Sequence, residues 1–138
     1  MATAKITYLG DLRTECTHLQ SGNTLITDAP CDNQGKGEAF SPTDLLATSL
    51  GACILTIMGI KARDNNIDIT GTKVEITKIM ASEPPRRVAE VVVEFFFPAK
   101  SYTKEEKALV ESVAGTSPVP LSLHPELKQT IRFHWRDR

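Results

Sequence analysis

Ser41-Pro42-Thr43-Asp44-Leu45-Leu46-Ala47-Thr48-Ser49-Leu50-Gly51-Ala52-Cys53-Ile54-Leu55-Thr56-Ile57-Met58-Gly59-Ile60 is the stretch on which the fold turns. Ser41 can accept from the free N–H groups of a helix start, and Pro42 suits the first helical position, where a missing N–H costs nothing. Asp44 stands where a side chain reaches back to the cap, and its charge suits the positive end of the helix dipole. The helix is predicted to run to about residue 63, where Lys61 and Arg63 match its negative end and Asn65-Asn66 can terminate it. At 1.5 Å per residue it would be roughly 30 Å long, enough to cross a small domain. Apolar side chains fall on nearly every face, so nearly every face has to be covered. The apolar run over residues 45–60 is shorter than the roughly 20 residues of a bilayer span. It reads as a central helix buried within protein, with no membrane as partner.

Upstream of this helix the pattern is that of strands. Residues 5–9 form a β-like run closed by Gly10-Asp11, a second run covers about 13–20, and Ser21-Gly22-Asn23 turns the chain into a third over 24–27. The three are predicted to form an antiparallel meander, and a loop rich in Gly, Asn, Asp and Pro then fills 28–40. Downstream, residues 72–80 alternate, with Val74 and Ile76 between Lys73, Glu75 and Thr77. Ser82-Glu83-Pro84-Pro85 turns into a Val- and Phe-rich strand over 88–97. Thr103 and Glu106 make a capping box for a second helix that ends at Gly115, and Ser117-Pro118-Val119-Pro120 breaks the chain. The last strand puts Ile131, Phe133 and Trp135 on one face and Arg132, His134 and Arg136 on the other. The order βββ-α-ββ-α-β is an α+β fold, and without a linker or repeat residues 1–138 read as a single domain.

Sixteen Lys and Arg against seventeen Asp and Glu leave a net charge of -1, which supplies no field for nucleic acid or an anionic membrane. The first residues lack the charged-then-apolar layout of a secretory signal. Three cysteines, with no C-x-x-C pair, do not make a disulfide framework, so reduced thiols in a cytoplasmic protein are expected. Nothing in the sequence requires a metal or other cofactor.

The element order, with a cysteine inside a long apolar helix, resembles the OsmC/Ohr family of osmotically inducible and organic hydroperoxide resistance proteins. The segment from Phe40-Ser41-Pro42 to Gly51-Ala52-Cys53 is similar to the family's helix opening and reactive cysteine. Ser117-Pro118-Val119-Pro120-Leu121-Ser122-Leu123 is similar to the segment that holds the family's second cysteine. The resemblance implies an intertwined homodimer with two sites at the subunit interface. It further implies that Cys53 attacks a peroxide, and that Arg13, in the opening hairpin, matches the arginine that activates it. The chain departs from the family at two positions. The family glutamate falls at Thr43, with Asp44 and Glu38 as stand-ins, and the resolving cysteine falls at Ser117.

Thiol peroxidase chemistry begins with thiolate attack on a peroxide oxygen. A cysteine this far down its helix gains little from the helix dipole, which fades within a turn. An ionised Cys53 therefore calls for a cation, for which Arg13 is the candidate, and Arg13 in turn calls for a carboxylate such as Asp44 or Glu38. On the residues alone, Cys53 reads first as a small buried hydrophobe, and the resemblance turns the reading to a reactive thiol. Cys16 and His18 share a strand face without a second pair of metal ligands, and Cys31 is either a bystander or a substitute resolving thiol. Ser122 and His124, in a Pro-bounded loop, read as turn and packing residues, and Gly35-Lys36-Gly37 as a flexible turn. The expected function is a one-cysteine reductase of organic hydroperoxides served by an external thiol. A non-catalytic carrier of a hydrophobic small molecule and a Cys53-based redox sensor are the alternatives.

Overall fold

The computed structural model describes residues 1–136. Their order is β1 (Ala4–Gly10), β2 (Arg13–His18), β3 (Thr24–Asp28), α1 (Pro42–Asp64), β4 (Lys73–Met80), β5 (Val88–Phe96), α2 (Lys104–Glu111), α3 (Pro118–Ser122) and β6 (Lys128–His134), with single 3-10 turns at Cys31–Asn33 and Ala114–Thr116. The chain separates into two compact units, Met1–Leu46 and Ala47–Arg138.

In the first unit β1, β2 and β3 form the expected antiparallel meander. Asp11 and Leu12 both take positive φ in the two-residue turn between β1 and β2, the twist such a tight hairpin needs. The register places Ile6, Cys16 and Leu25 in one row across the sheet, and Tyr8, Thr14 and Thr27 in the next. Ile6 and Tyr8 are each 65% exposed and Leu25 42%, so this apolar face is open. Arg13 pairs with Asp28 on the opposite face. After β3 the chain loops out and returns at Phe40, whose carbonyl accepts from Asp28 N at 3.0 Å. Gly35 lies so close to the loop's start that a Cβ there would sit 1.8 Å from the Ala29 carbonyl oxygen.

In the second unit β5 is the centre of a three-stranded sheet, antiparallel to β4 and parallel to β6. The crossover from β5 to β6 through α2 and α3 is what permits the parallel pairing. Val91, Val93 and Phe95 alternate inward from β5 and join Leu50, Ile54, Met58 and Ala62 of α1 in one core with Val110 of α2. The α1 residues recur at helical spacing and form one buried stripe. Gly51 belongs to that stripe, and a Cβ there would meet Ile76 Cδ1 at 2.5 Å and Val74 Cγ1 at 3.3 Å, which marks a close approach of helix and sheet.

Within one chain a single sheet covers one stripe of α1, and Ile60, for example, stays 44% exposed. The 23-residue helix is long and apolar enough, by length and composition alone, to cross a bilayer, a test that the core helix of a soluble protein passes as well. One expectation needs correction: α2 ends at Glu111 rather than near Gly115, and the proline segment forms a helix instead of a break. Pro118 occupies the first helical turn of α3, where its ring is tolerated, behind Ser117 in an extended conformation.

Candidate active site

The start of α1 is built by Ser41 and Asp44. Ser41 N donates to Asp44 Oδ2 at 2.9 Å and Asp44 N donates to Ser41 Oγ at 3.1 Å, a reciprocal capping box with Asp in place of the usual Glu. Ser41 is buried, and its hydroxyl lies 3.2 Å from Thr43 Oγ1. Asp44 thus does what the sequence assigned to it as a cap.

Cys53 lies in the middle of α1, half-buried, two residues beyond the close approach at Gly51. Val119 N, in the first turn of α3, points its hydrogen at Cys53 Sγ over 3.5 Å. Cys53 is therefore neither sealed in the core nor freely exposed, and its sulfur carries one oriented backbone donor. An anionic sulfur takes such a donor better than a neutral thiol does. Ser117, at the family's second-cysteine position, is fully buried and donates to Ala114 O at 3.3 Å. Its hydroxyl closes its own turn.

Arg13 opens β2 in the first unit. Its Nη2 donates to Asp28 Oδ2 at 3.4 Å and also to Glu38 Oε1. Glu38 is exposed, whereas the Asp28 side chain is fully buried. Asp28 Oδ2 additionally accepts Glu38 N at 3.0 Å. Of the two carboxylates expected for Arg13, Glu38 is found beside it, and Asp44 is engaged at the helix start. Sequence reading missed Asp28, which looked like the first residue of a loop. No single residue signals it: Asp28 stands opposite Arg13 only through the register that the β2–β3 connection sets.

The remaining candidates are used locally. Cys31 Sγ donates to Lys36 O at 3.3 Å and is exposed. His18 Nδ1 bonds Ser21 Oγ at 2.6 Å, and Cys16 is half-buried in β2. Ser122 Oγ donates to Pro118 O, and His124 Nδ1 accepts Glu126 N, so neither is poised as nucleophile or base for the other. A cavity of about 700 Å³ opens beside the C-terminal half of α1, lined by Leu55, Arg63, Asn66, Ile67 and Ile69 among others. Cys53 does not line it.

A family model described as OsmC-like protein matches residues 35–132, from the loop before α1 into β6. A candidate osmotic-stress-induced and detoxification response protein of Psychrobacter arcticus 273-4 is 56% identical, with a TM-score of 0.91 over 97% of this chain and 96% of its own. The organic hydroperoxide resistance protein OsmC of Legionella pneumophila shares the fold at 16% identity, with a TM-score of 0.72 over 96% and 97% of the two chains. An organic hydroperoxide resistance protein of Elizabethkingia anophelis does so at 15% identity, with a TM-score of 0.73 over 100% and 98%. No curated protein matches the sequence. The match over 35–132 includes the capped opening of α1, Cys53 and the Ser117 turn, and the chain belongs to the OsmC-like protein family.

Proposed function

We propose that the protein is a thiol-dependent reductase of organic hydroperoxides that works with one cysteine. The Cys53 thiolate attacks the terminal oxygen of R–O–O–H, an S–O bond forms, the O–O bond breaks, and the alkoxide takes a proton from water to leave as the alcohol. Cys53 is then a sulfenic acid. Two equivalents of an external thiol return it to the thiol, releasing water and a disulfide. Arg13 stabilises the negative charge that passes from sulfur to oxygen, and Asp44 holds the first turn of the helix that carries Cys53.

The observation that carries this reading is the half-buried Cys53 with the Val119 N–H aimed at its sulfur, within a family match that takes in both residues and the Ser117 turn. The one-cysteine form follows from Ser117, which cannot form a disulfide and whose hydroxyl is committed to Ala114 O. The apolar run around Cys53 favours alkyl and lipid-derived peroxides over hydrogen peroxide. A cytoplasmic site of action suits three free thiols. A homodimer suits the exposed Ile6, Tyr8 and Leu25 on one face of the meander and the exposed Ile60 of α1, which a second copy would cover.

The test is reaction of the reduced protein with stoichiometric cumene hydroperoxide, read by intact mass and dimedone trapping beside Cys53→Ser. Rapid formation of a sulfenic acid that the mutant lacks is the expected result. A Cys53 unmodified after many minutes would return it to the role of a packing residue. The cavity beside Leu55, Ile67 and Ile69 would then favour the carrier reading. Consumption of hydrogen peroxide at least as fast as cumene hydroperoxide would remove the organic preference. Oxidation that changes the protein's shape without sustained turnover would make Cys53 a sensor.

A further inference from the structure

Arg13 is held in an unusual way. Among the described residues, both carboxylates that touch it do so through one nitrogen, Nη2, while Nε and Nη1 make no hydrogen bond. A guanidinium is planar and offers five donors in a fixed fork, so holding one corner fixes where the other donors point. The two carboxylates differ in kind. Glu38 is exposed and sits on the loop, whereas Asp28 is fully buried at the end of β3 and opposite Arg13 in the strand register.

Asp28 does more than pair with Arg13. Its Oδ2 also takes the backbone N–H of Glu38, and its own N–H is tied to Phe40 O, so it anchors the returning end of the loop that delivers Glu38. Its second oxygen, Oδ1, is buried without any hydrogen-bond partner among the described residues. A buried carboxylate that served packing alone would satisfy both oxygens, because an unmet acceptor out of water is costly. Uncompensated cost of this kind gathers at functional sites.

We propose that Asp28 is the positioning residue of Arg13: it fixes the guanidinium by Nη2 and fixes the Glu38 loop, leaving Nε and Nη1 open to an acceptor oxygen of the substrate. Glu38 is the exchangeable partner and Asp28 the permanent one. Their two negative charges exceed the one positive charge of Arg13. The site therefore prefers neutral hydroperoxides to those bearing a free carboxylate. This inference rests on the proposed peroxide chemistry for its purpose, and on the first unit's geometry for its substance.

The experiment compares wild type, Asp28→Asn, Glu38→Gln, Arg13→Ala and the double variant Arg13→Ala/Asp28→Asn. Asparagine keeps the shape and can still accept Glu38 N–H, but it cannot hold the cation. We expect Asp28→Asn to slow oxidation of Cys53 by cumene hydroperoxide about 10-fold or more, as loss of a charged hydrogen bond does. Its melting temperature should be unchanged or raised, and Glu38→Gln should slow the reaction only about 2–3-fold. Adding Asp28→Asn to Arg13→Ala should have no further effect, because Asp28 acts through Arg13. An Asp28→Asn variant as fast as wild type, or additive effects in the double variant, would overturn the proposal. Nitrogen NMR of the Arg13 guanidinium separates this outcome from failure of the peroxide reading. If wild type itself ignores the peroxide, the functional reading falls. Arg13 Nη signals that are resolved in wild type and averaged in Asp28→Asn would still support the clamp, and signals alike in both would dismiss it.

Discussion

Cys53 owes its setting to small residues and backbone rather than to neighbouring charge on its own helix. Gly51 lets α1 settle onto Val74 and Ile76, and Val119 offers its N–H to the sulfur. If this thiol carries the chemistry, Cys53→Ser abolishes hydroperoxide consumption while Cys16→Ser and Cys31→Ser leave it intact, measured as peroxide loss per protein. Loss in Cys31→Ser would instead identify Cys31 as the resolving thiol. In the first unit, Gly35 answers to backbone and not to a flexible side chain, since the Ala29 carbonyl occupies the space of its Cβ. Gly35→Ala is expected to cost about 1–3 kcal/mol in urea denaturation, because the loop that carries Glu38 has to shift. An unchanged midpoint would mean that the loop accommodates the methyl group. The candidates at this scale were legible in part: Cys53 and Arg13 carry recognisable chemistry, whereas a glycine's or a backbone N–H's role appears only when two distant segments meet.

Elements form where local and tertiary demands agree. The capping boxes at Ser41/Asp44 and Thr103/Glu106 were both readable as short patterns, and both are present with the reciprocal bonds they imply. Thr103→Ala should destabilise by about 1 kcal/mol, seen as a lower unfolding midpoint, and a smaller helix contribution would show as no shift. The buried stripe of α1 matters more. Ile54 is wholly enclosed, so Ile54→Ala should cost about 2–5 kcal/mol by the lost burial and the cavity left behind. The strands of the meander and β4 and β5 emerged close to their expected bounds because alternation of side chains is itself the strand signal, whereas β6 starts earlier, at Lys128, and ends at His134, before Trp135 and Arg136. The short helix α3 did not. Its two prolines suggest a break, and only the docking of Val119 at Cys53 and of Pro120 in the interior makes that turn worthwhile.

Across the second unit, Asp68 ties the segment after α1 to the loop after β5. Its carboxylate accepts Thr70 N at 2.9 Å and Lys100 Nζ at 3.0 Å, and its carbonyl accepts Tyr102 Oη at 2.6 Å. The Thr70 hydrogen bonds, with Lys100 after them, hold the Asp68 carboxyl well below the usual carboxylate range, and burial foremost pushes the Tyr102 phenol up. A depressed carboxyl stabilises the fold above its unfolded value of 3.8 and loses that contribution as pH falls toward the folded value. Wild type should therefore melt above Asp68→Asn at pH 7, with the gap narrowing steadily from about pH 5 to pH 2. A gap independent of pH would assign the effect to shape alone. On the same scale, the exposed Ile6, Tyr8 and Leu25 on one face of the meander predict that Tyr8→Glu lowers the sedimenting mass from dimer to monomer, and a monomeric wild type would refute the second copy. The amino-acid sequence by itself determined the α+β order, the capped apolar helix, the strand alternation and the thiol at its centre, since each depends on residues near one another along the chain. The tertiary structure alone decided that β6 runs parallel to β5, that one sheet covers one stripe of α1, and that Arg13 answers to Asp28. These are pairings between residues far apart in the chain, set by register and packing, which no local pattern encodes.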